Sequence, residues 1–487
     1  MVAPPFAERH IQWVLRYRWL VVLIALASAA GLGAGAPRLA FSNNFRVFFS
    51  AENPQLRAFE ALEKIYTKND FLLFVIQPPD GAVFSRATMV QLDRWTSLAW
   101  KLPFASRVDS LTNFQHTRAD GDELIVDDLV VDAKQLTAEE LEQIRRIAFA
   151  EPALLRRLIS ADGRTTGIHV RLYLPGRDNR EAAQSTNAAL ALAEQMQREM
   201  PGARIEVTGT AMLSTAFAEA PRADARFLFP LVGVLLTAAL AFFLRSLAGV
   251  VATLLLVVLS VTAALGSAGW LGFELDSASA MAPLIIMTLA IADAVHLLMT
   301  ISASMRGGHD KRLALIECMR VNAKPILLTT LTTGIGFLGL NTSDAPPLRE
   351  LGNITAIGIG LAWLYSMTFL PALVALLPLR VRADQTSRVM PRLAEIVIRR
   401  RRPLLAVGSC IAIVLSLQLL RLEINDRPVQ YFERDNHFRR ATELAVDSLT
   451  GFYGFSFSLP SGEPGGISDP DYLRTVDAFA TWLRQQP

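Results

Sequence analysis

Residues 281–302 read MAPLIIMTLAIADAVHLLMTIS, an apolar stretch with a single acidic residue, Asp293, near its midpoint. A helix needs about 20 predominantly apolar residues to cross the roughly 30 Å hydrocarbon core of a bilayer, and this stretch is long enough. A carboxylate at the centre of such a helix is costly unless it is protonated or paired, so its presence indicates a functional group. The stretch therefore predicts a membrane-spanning helix that carries a buried acid.

The rest of the chain has the composition of a polytopic membrane protein. Hydrophobic residues make up 52% of the 487 residues, charged residues only 19%, and the mean hydropathy is +0.32. This is too apolar for one soluble core. The net charge of +3 is spread along the chain and does not indicate a nucleic-acid partner. Cys318 and Cys410 lack the spacing of a metal site or a disulfide framework. The segments predicted to span the membrane are 19–36, 227–244, 247–272, 281–302, 325–340, 354–379 and 403–420.

Basic residues in the short loops predict the orientation, because cytoplasmic loops are enriched in Lys and Arg. Residues 303–324 carry five such residues and 380–402 carry eight arginines, so both loops are expected to be cytoplasmic. The alternative for the first segment is a cleaved signal peptide, since Arg16 and Arg18 precede it and small residues end it. The predicted regions are a cytoplasmic N-terminus (1–18), helix 1 (19–36), an extracytoplasmic domain (37–226), helices 2–6 (227–379), a basic cytoplasmic loop (380–402), helix 7 (403–420) and the start of a second outer domain (421–487).

The C-terminal part of the chain repeats the N-terminal part at an offset of 383 residues. Phe48-Phe49 then aligns with Tyr431-Phe432, and Asn53 with Asn436, without a gap; chance similarity of membrane-flanking segments is the alternative. Such a repeat is typical of transporters with internal symmetry. It predicts one full repeat and the start of a second, and hence a truncated product or fragment. We expect this chain to be unstable or inactive alone, to need second-half helices or a homo-oligomer, and to be readily proteolysed over 421–487.

Residues 37–226 alternate extended and helical patterns, which predicts two small α+β (ferredoxin-like) sandwiches with helices on one face of the sheet. This stretch has no nucleophile elbow, metal cluster or phosphate loop in its sequence. His116 and His169 stand alone, and a packed or solvated histidine is favoured over a ligand for each. The strand-like runs are 71–77, 123–131, 166–174 and 204–208, and the helix-like runs are 55–66, 87–101, 138–150 and 180–200.

Asp293 and His296 are three residues apart and so share one face of the predicted helix. Burial in hydrocarbon disfavours the charged form of a carboxyl and so favours the proton-bound form. A reversible proton carrier must be able to take up a proton and release it again, so Asp293 is predicted to relay protons. The alternative is an acid that only ties helices together through hydrogen bonds. His296 could accept or pass on the same proton, or it could be a packing histidine bonded to a backbone carbonyl.

The fifth segment is rich in small and hydroxyl-bearing residues. Pro325 fits the first turn of a helix that enters the membrane from the cytoplasm. Gly334, Gly336 and Gly339 match G-x-G-x-x-G, but no strand precedes them, so a dinucleotide site is not indicated. Hydroxyls at this density can line the Asp293 site, although helix packing explains any single threonine as well. The threonines are Thr329, Thr330, Thr332 and Thr333.

The chain resembles the resistance–nodulation–division (RND) superfamily in the order of its predicted elements. These are one helix, a large outer domain, five helices and the start of a second repeat, with an acid in the middle of the fourth helix. The similarity is greatest to predicted exporters related to the mycobacterial large membrane proteins (MMPL) and the hopanoid transporters. It rests on Ala292-Asp293-Ala294 with His296, on KPILLTTLTTGIGF at 324–337, and on Asn53-Pro54. The resemblance implies that Asp293 is the proton-relay acid and that 37–226 is a porter domain that receives substrate. Leu289 stands where many relatives have glycine.

The function implied is export of a lipid or other hydrophobic molecule, driven by the proton motive force, by a multi-pass protein of a bacterial inner membrane. No cofactor is expected, since the proton gradient supplies the energy. The expected partners are the substrate and the lipid bilayer. An accessory of protein translocation, like the secretion-associated members of the superfamily, is the alternative. A membrane-anchored enzyme is disfavoured, because no catalytic constellation is recognisable in the outer domain.

Overall fold

The computed structural model describes residues 6–41, 45–66, 70–120, 122–176, 180–379, 389–423, 425, 427–449 and 457–486. They form two compact units. The helical unit consists of Met1–Asn53 and Ser214–Tyr431, and the sheet unit of Pro54–Leu213 and Phe432–Pro487.

Sixteen α-helices and eight strands occur in the part of the chain that the structure describes. The helices are α1 (Phe6–Arg16), α2 (Arg18–Gly33), α3 (Pro54–Ile65), α4 (Arg86–Ala99), α5 (Ala138–Ala150), α6 (Glu181–Glu199), α7 (Thr210–Leu244), α8 (Leu247–Trp270), α9 (Ala282–Arg306), α10 (Lys311–Leu338), α11 (Pro346–Met367), α12 (Phe369–Leu376), α13 (Val389–Arg399), α14 (Arg401–Gln418), α15 (His437–Ser448) and α16 (Pro470–Arg484). The strands are β1 (Ala40–Phe41), β2 (Asp70–Gln77), β3 (Ala105–Ser110), β4 (Gln115–Asp120), β5 (Glu123–Asp128), β6 (Thr166–Leu172), β7 (Arg204–Thr208) and β8 (Glu274–Leu275).

Seven helical stretches of the described residues are long and apolar enough to cross a membrane, which confirms the predicted number of spans. Each of them overlaps one of the segments predicted from hydropathy. Their bounds are Arg18–Arg38, Arg226–Leu244, Leu247–Trp270, Ser279–Arg306, Lys311–Thr342, Pro346–Leu376 and Arg401–Arg421.

The core of the helical unit is built around α8, which packs against α2, α9 and α11. Small residues make the contact with α2 very close. A β-carbon on Gly266 would overlap the backbone of Leu32, and one on Gly269 would overlap the carbonyl of Gly35. Helices in a bilayer associate through this kind of close packing, because lipid offers no hydrophobic driving force between them. The C-terminal end of α2 and the residues just beyond it therefore lie directly against the backbone of α8, at what we call the glycine seam, formed by Gly35, Gly266 and Gly269.

The prediction that Pro325 lies in the first turn of a helix is wrong. Helix α10 begins at Lys311, where the side chain of Asp310 accepts a hydrogen bond from the Leu313 amide at 2.9 Å, and Pro325 lies inside it. The first half of α10 is amphipathic and buries Ala314, Leu315, Cys318 and Met319 in the core. Hydropathy does not detect this part, because its other face carries charged residues. Much of the predicted cytoplasmic loop 303–324 is thus helical.

The sheet unit contains one four-stranded antiparallel sheet in the order β3-β6-β2-β7. Helix α4 follows β2 and α6 follows β6, so the connectivity is a βαββαβ motif of the ferredoxin-like kind. Leu72, Phe74 and Ile76 of β2 are fully buried on one face of the sheet. The predicted ferredoxin-like α+β architecture is confirmed.

The prediction of two sandwiches is wrong for the described residues. Strand β5 lies within the predicted run 123–131 but pairs only with β4, as a separate two-stranded ribbon. Together with α5, this ribbon is an insertion between β3 and β6. Strand β3 was not predicted, because its sequence ASRVDS has only one large apolar residue, Val108. It forms an edge of the sheet, where a strand needs little apolar surface.

Helix α15 packs on β2 and β7 of the sheet unit. Phe438, Ala441 and Thr442 are at most 1% exposed, and the hydroxyls of Thr442 and Thr208 are 2.6 Å apart. This part of 421–487 therefore has packing partners, in contrast to the expected unpaired segment. Helix α16, further along the chain, has no buried residue.

The repeat at an offset of 383 residues is also a repeat of secondary structure. Helices α1 and α13 have the same bounds at this offset, and so do α3 and α15. Helices α2 and α14 begin at equivalent residues. Two short 3₁₀ helices, Phe45–Phe48 and Pro428–Tyr431, also correspond.

Candidate functional site

A small cavity of about 30 Å³ lies beside Asp293 in the helical unit. Asp293 and Leu289 of α9 form one wall, Thr329, Thr330 and Thr333 of α10 a second, and Ile359 and Ala362 of α11 a third. The structure thus brings together the predicted acid and three of the four predicted threonines. The volume and the polar lining are those that about one water molecule requires.

Local features of α9 and α10 hold these residues in place. Before α9, the Asp276 carboxylate accepts hydrogen bonds from the amides of Ala278 and Ser279, at 2.8 and 2.9 Å. Near the other end of α9, the side-chain amide of Asn322 on α10 donates to the Thr300 hydroxyl at 3.0 Å. This hydrogen bond links the helix that carries the acid to the helix that carries the threonines.

Asp276 is a buried acid, only 3% exposed, that the sequence does not distinguish from an ordinary outer-loop residue. Desolvation raises the pKa of its carboxyl, and the hydrogen bonds from Ser279 and Ala278 oppose this shift. Because its oxygen satisfies the amides of the turn, Asp276 has a structural role at the start of α9.

Helix α11 completes the site through small residues. A β-carbon on Gly358 would overlap Ile286 of α9. Gly358 and Ala362 are four residues apart, so both face α9, and their size allows α11 to approach the acid. Leu289, Ile359 and Ala362 were not predicted as lining residues. The small-xxx-small spacing of Gly358 and Ala362 is the signal that could have identified this face.

Within the described residues, no group donates a hydrogen bond to the Asp293 carboxyl. Of the threonines that line the cavity, Thr329 has a different hydrogen-bond acceptor, because its hydroxyl donates to the Ile326 carbonyl at 2.8 Å. An acid that only ties helices together would be expected to have a bonding partner. A carboxyl that lines a small cavity without such a partner is instead a group whose protonation can change with its surroundings.

His296 and Thr332 are not among the residues that line the cavity. The His296 side chain is exposed on the surface of the helical unit, and its backbone carbonyl accepts the Thr300 hydroxyl at 2.9 Å. Thr332 is also exposed, and its hydroxyl donates to the carbonyl of Leu328. The relay role of His296 therefore stays a prediction, without a contact to Asp293 through this cavity.

The two isolated histidines of the sheet unit lie on strands. His169 on β6 stacks on Phe71, with ring centroids 4.9 Å apart, and His116 lies on β4. Cys318 is buried and its thiol donates to the Leu297 carbonyl, whereas Cys410 is exposed. No group of three or more metal-ligating side chains occurs in the described part of the chain.

A family model described as the MMPL family matches residues 105–405, more than half of the chain. The chain belongs to the MMPL family. The match includes β3, β6 and β7 of the sheet, all of α8 to α12, and thus every residue that lines the Asp293 cavity. Membership confirms the resemblance to the RND and MMPL proteins that the sequence indicated.

Three curated proteins are similar to parts of this MMPL chain. A protein of Methanocaldococcus jannaschii, named as a membrane protein, is 28% identical over 178 residues, which are 36% of this chain and 45% of that protein. A protein of Mycobacterium leprae, named as the transport protein MmpL10, is 28% identical over 167 residues, 32% of this chain and 15% of its own length. A membrane protein of Streptomyces coelicolor is 27% identical over 142 residues, 28% and 20% of the two chains. The chain thus spans less than half the length of each of these relatives.

Proposed function

We propose that this chain forms part of a transporter of the MMPL class that exports a lipid or other hydrophobic molecule across the inner membrane. Protons that enter through the Asp293 cavity drive the export. The observation that carries the proposal is an acid in the middle of a spanning helix, with no hydrogen-bond partner among the described residues, facing three threonines in a cavity of about 30 Å³. Family membership and the printed name of the Mycobacterium leprae relative support a transport role.

The chemistry of the cavity is suited to proton transfer. Of the described residues that line it, Asp293 is the only one with an ionisable group, and the threonine hydroxyls are the only other polar side chains. Hydroxyls both donate and accept hydrogen bonds, so they can orient a water molecule toward the acid in either protonation state. Conversion between the charged and neutral forms changes the cost of keeping Asp293 in the bilayer by several kcal/mol. Because of this difference in cost, protonation of Asp293 by a proton gradient changes the packing of α9, α10 and α11.

Asp293→Asn tests the proposal in the protein expressed from its intact gene and reconstituted into liposomes. The variant removes the ionisable group and keeps the shape of the side chain. An imposed pH gradient should accelerate transfer of a fluorescent lipid between the leaflets by the unsubstituted protein, as measured by dithionite quenching. Transfer by the variant should fall to the rate of protein-free liposomes.

Asp344→Asn is the matched control, because Asp344 is an exposed acid between α10 and α11. It should retain gradient-driven transfer. Comparable thermal unfolding of both variants would show that folding is preserved, since an amide is no more costly to bury than a carboxylate. Gradient-driven transfer that survives Asp293→Asn would refute the role of this acid in coupling.

A further inference from the structure

A cavity of about 400 Å³ lies in the sheet unit, on the face of the sheet that carries Phe71 and Leu73. Its volume is within the range of about 300–1,000 Å³ that is common for small-molecule sites. Residues of β2, β3 and β6 form the floor. Ala445 of α15 contributes to one wall, and Phe114, Arg157 and Leu158 of the insertion contribute to another.

The register of the strands places charged residues side by side on this floor. Arg171 of β6 is opposite Phe71 of β2 and opposite Arg107 of β3. His169 of the same strand is opposite Leu73 and Asp109. Two like charges directly opposite each other on neighbouring strands destabilise a sheet. The Arg107–Arg171 pair is thus a place where a bound anion would be stabilising.

Asp109, the acid on the floor, neutralises the charge of only one of the arginines that line the cavity. Nε of Arg107 is 2.7 Å from the Asp109 carboxylate, so these two charges form an ion pair. Arg157 and Arg171 form no ion pair with any acid in the described ranges. Nε of Arg171 is buried and has no hydrogen-bond partner among the residues described. A buried donor of this kind costs free energy unless a ligand or water satisfies it.

His169 does not add to the charge of the cavity near neutral pH. Burial lowers the pKa of its ring to about 4, with Asp109 opposing the shift and the arginines adding to it. Its ring stacks on Phe71 and extends the apolar part of the floor. With the Arg107–Asp109 pair neutral as a whole, two guanidinium groups face a lining that is otherwise largely apolar.

We propose that this cavity binds a single-chain lipid with an anionic phosphate or carboxylate head group. The head group lies between Arg157 and Arg171, and the acyl chain lies against Phe71, Phe114 and Leu158. The planar guanidinium group matches both oxyanions, because its N–H groups can bond two oxygens at once. The inference names the substrate class of the proposed transporter and in that respect rests on the proposed function.

Photo-crosslinking of the 487-residue chain in phosphatidylcholine nanodiscs tests this inference. The probe is lysophosphatidate with a diazirine in its acyl chain, and monoacylglycerol with the same chain is the uncharged control. Peptide mass spectrometry should locate the lysophosphatidate adducts at Phe114 and Leu158. Monoacylglycerol should label these peptides only weakly.

Arg157→Ala and Arg171→Gln should each raise the lysophosphatidate concentration needed for half-maximal labelling about tenfold, since each removes a charged hydrogen bond. Arg157 is exposed on a loop, so its replacement leaves the fold intact even if Arg171→Gln perturbs the sheet. Arg146→Ala, an exposed arginine of α5 outside the cavity, is the matched control and should have no effect.

Equal labelling by monoacylglycerol, or unchanged labelling of Arg157→Ala, would overturn the assignment of an anionic head group. Competition by inorganic phosphate as efficient as that by unlabelled lysophosphatidate would assign the site to free phosphate and overturn the role of the acyl chain. Absence of adducts at these peptides would overturn the site itself. No gradient is applied in this experiment, so a protein that binds the probe but fails in gradient-driven transfer refutes only the proposed function.

Discussion

Phe438 of α15 is the residue whose replacement should release this helix from the sheet unit. It is 1% exposed, and its ring meets that of Phe432 edge-on at a centroid distance of 5.4 Å. Replacement of a buried Phe by Ala costs about 3–5 kcal/mol in protein cores. The aromatic pair contributes about 0.5–1.5 kcal/mol of this. Phe438→Ala should therefore raise the population in which α15 is undocked by about two orders of magnitude or more.

Limited proteolysis with trypsin measures that population. The bond after Arg440 lies within the first half of α15, next to Ala441, which is fully buried, so cleavage requires the helix to open. When opening is fast, the cleavage rate follows the equilibrium fraction of open molecules. In the unsubstituted chain, cleavage after Arg474 in α16, which buries no residue, should precede cleavage after Arg440. In Phe438→Ala, cleavage after Arg440 should accelerate about 100-fold.

Leu473→Ala is the control, because Leu473 is 51% exposed on α16 and its loss should not change cleavage after Arg440. Equal rates of cleavage after Arg440 and Arg474 in the unsubstituted chain would refute the docking of α15. An unaltered rate in Phe438→Ala would show that the buried ring does not hold the helix.

Three further predictions concern other parts of the chain. His309→Cys should react with impermeant thiol reagents from the cytoplasmic side only, and labelling from outside intact cells would contradict the predicted orientation. Gly266→Val places a side chain against the Leu32 backbone, which cannot yield, so it should cost about 3 kcal/mol or more; Gly336→Val, where an added β-carbon meets nothing within 4 Å, should leave the thermal midpoint much less changed. Because the pKa of His169 is lowered to about 4 in the fold, the unfolded chain binds more protons than the folded chain between about pH 6.5 and 4. The free energy of unfolding should thus fall as pH decreases through this window, and less so in His169→Gln; identical pH profiles would exclude this contribution.

The membrane spans were predictable because each is a long apolar run, and the hydrocarbon thickness sets a length that few other structures require. Three strands of the sheet were predictable for a related reason, since β2, β6 and β7 are rich in apolar and β-branched residues. Strand β3 was not, because an edge strand such as ASRVDS carries little of that pattern. The first half of α10 escaped prediction because its buried residues are spaced as in an amphipathic helix, whose mean hydropathy is low.

The candidate site was predictable in part. Asp293 and the threonines stand out in the sequence because polar groups are rare in spanning helices. Ala362 does not stand out, since an alanine in an apolar helix is ordinary until its distance from the acid is known. The arginines of the sheet cavity show more clearly what the sequence could not predict. Arg107 and Arg171 are 64 residues apart, and only the register of β3 on β6 places them together.

In the transport cycle proposed above, the glycine seam limits which parts of the helical unit can move. A β-carbon on Gly35, just beyond the end of α2, would overlap the Gly266 carbonyl of α8, and one on Gly266 would overlap the Leu32 backbone, so no side chain fits between the two segments. We therefore expect the two helices to move together. Under the proposed function, we expect a response to protonation of Asp293 in helices whose backbone hydrogen-bonding is interrupted. Pro325 removes one backbone hydrogen bond from the interior of α10, and Thr368 interrupts the helical path between α11 and α12. We thus expect the glycines of the seam to mark the stationary part of the unit. Proline within α10 and threonine at the break should mark its pivots.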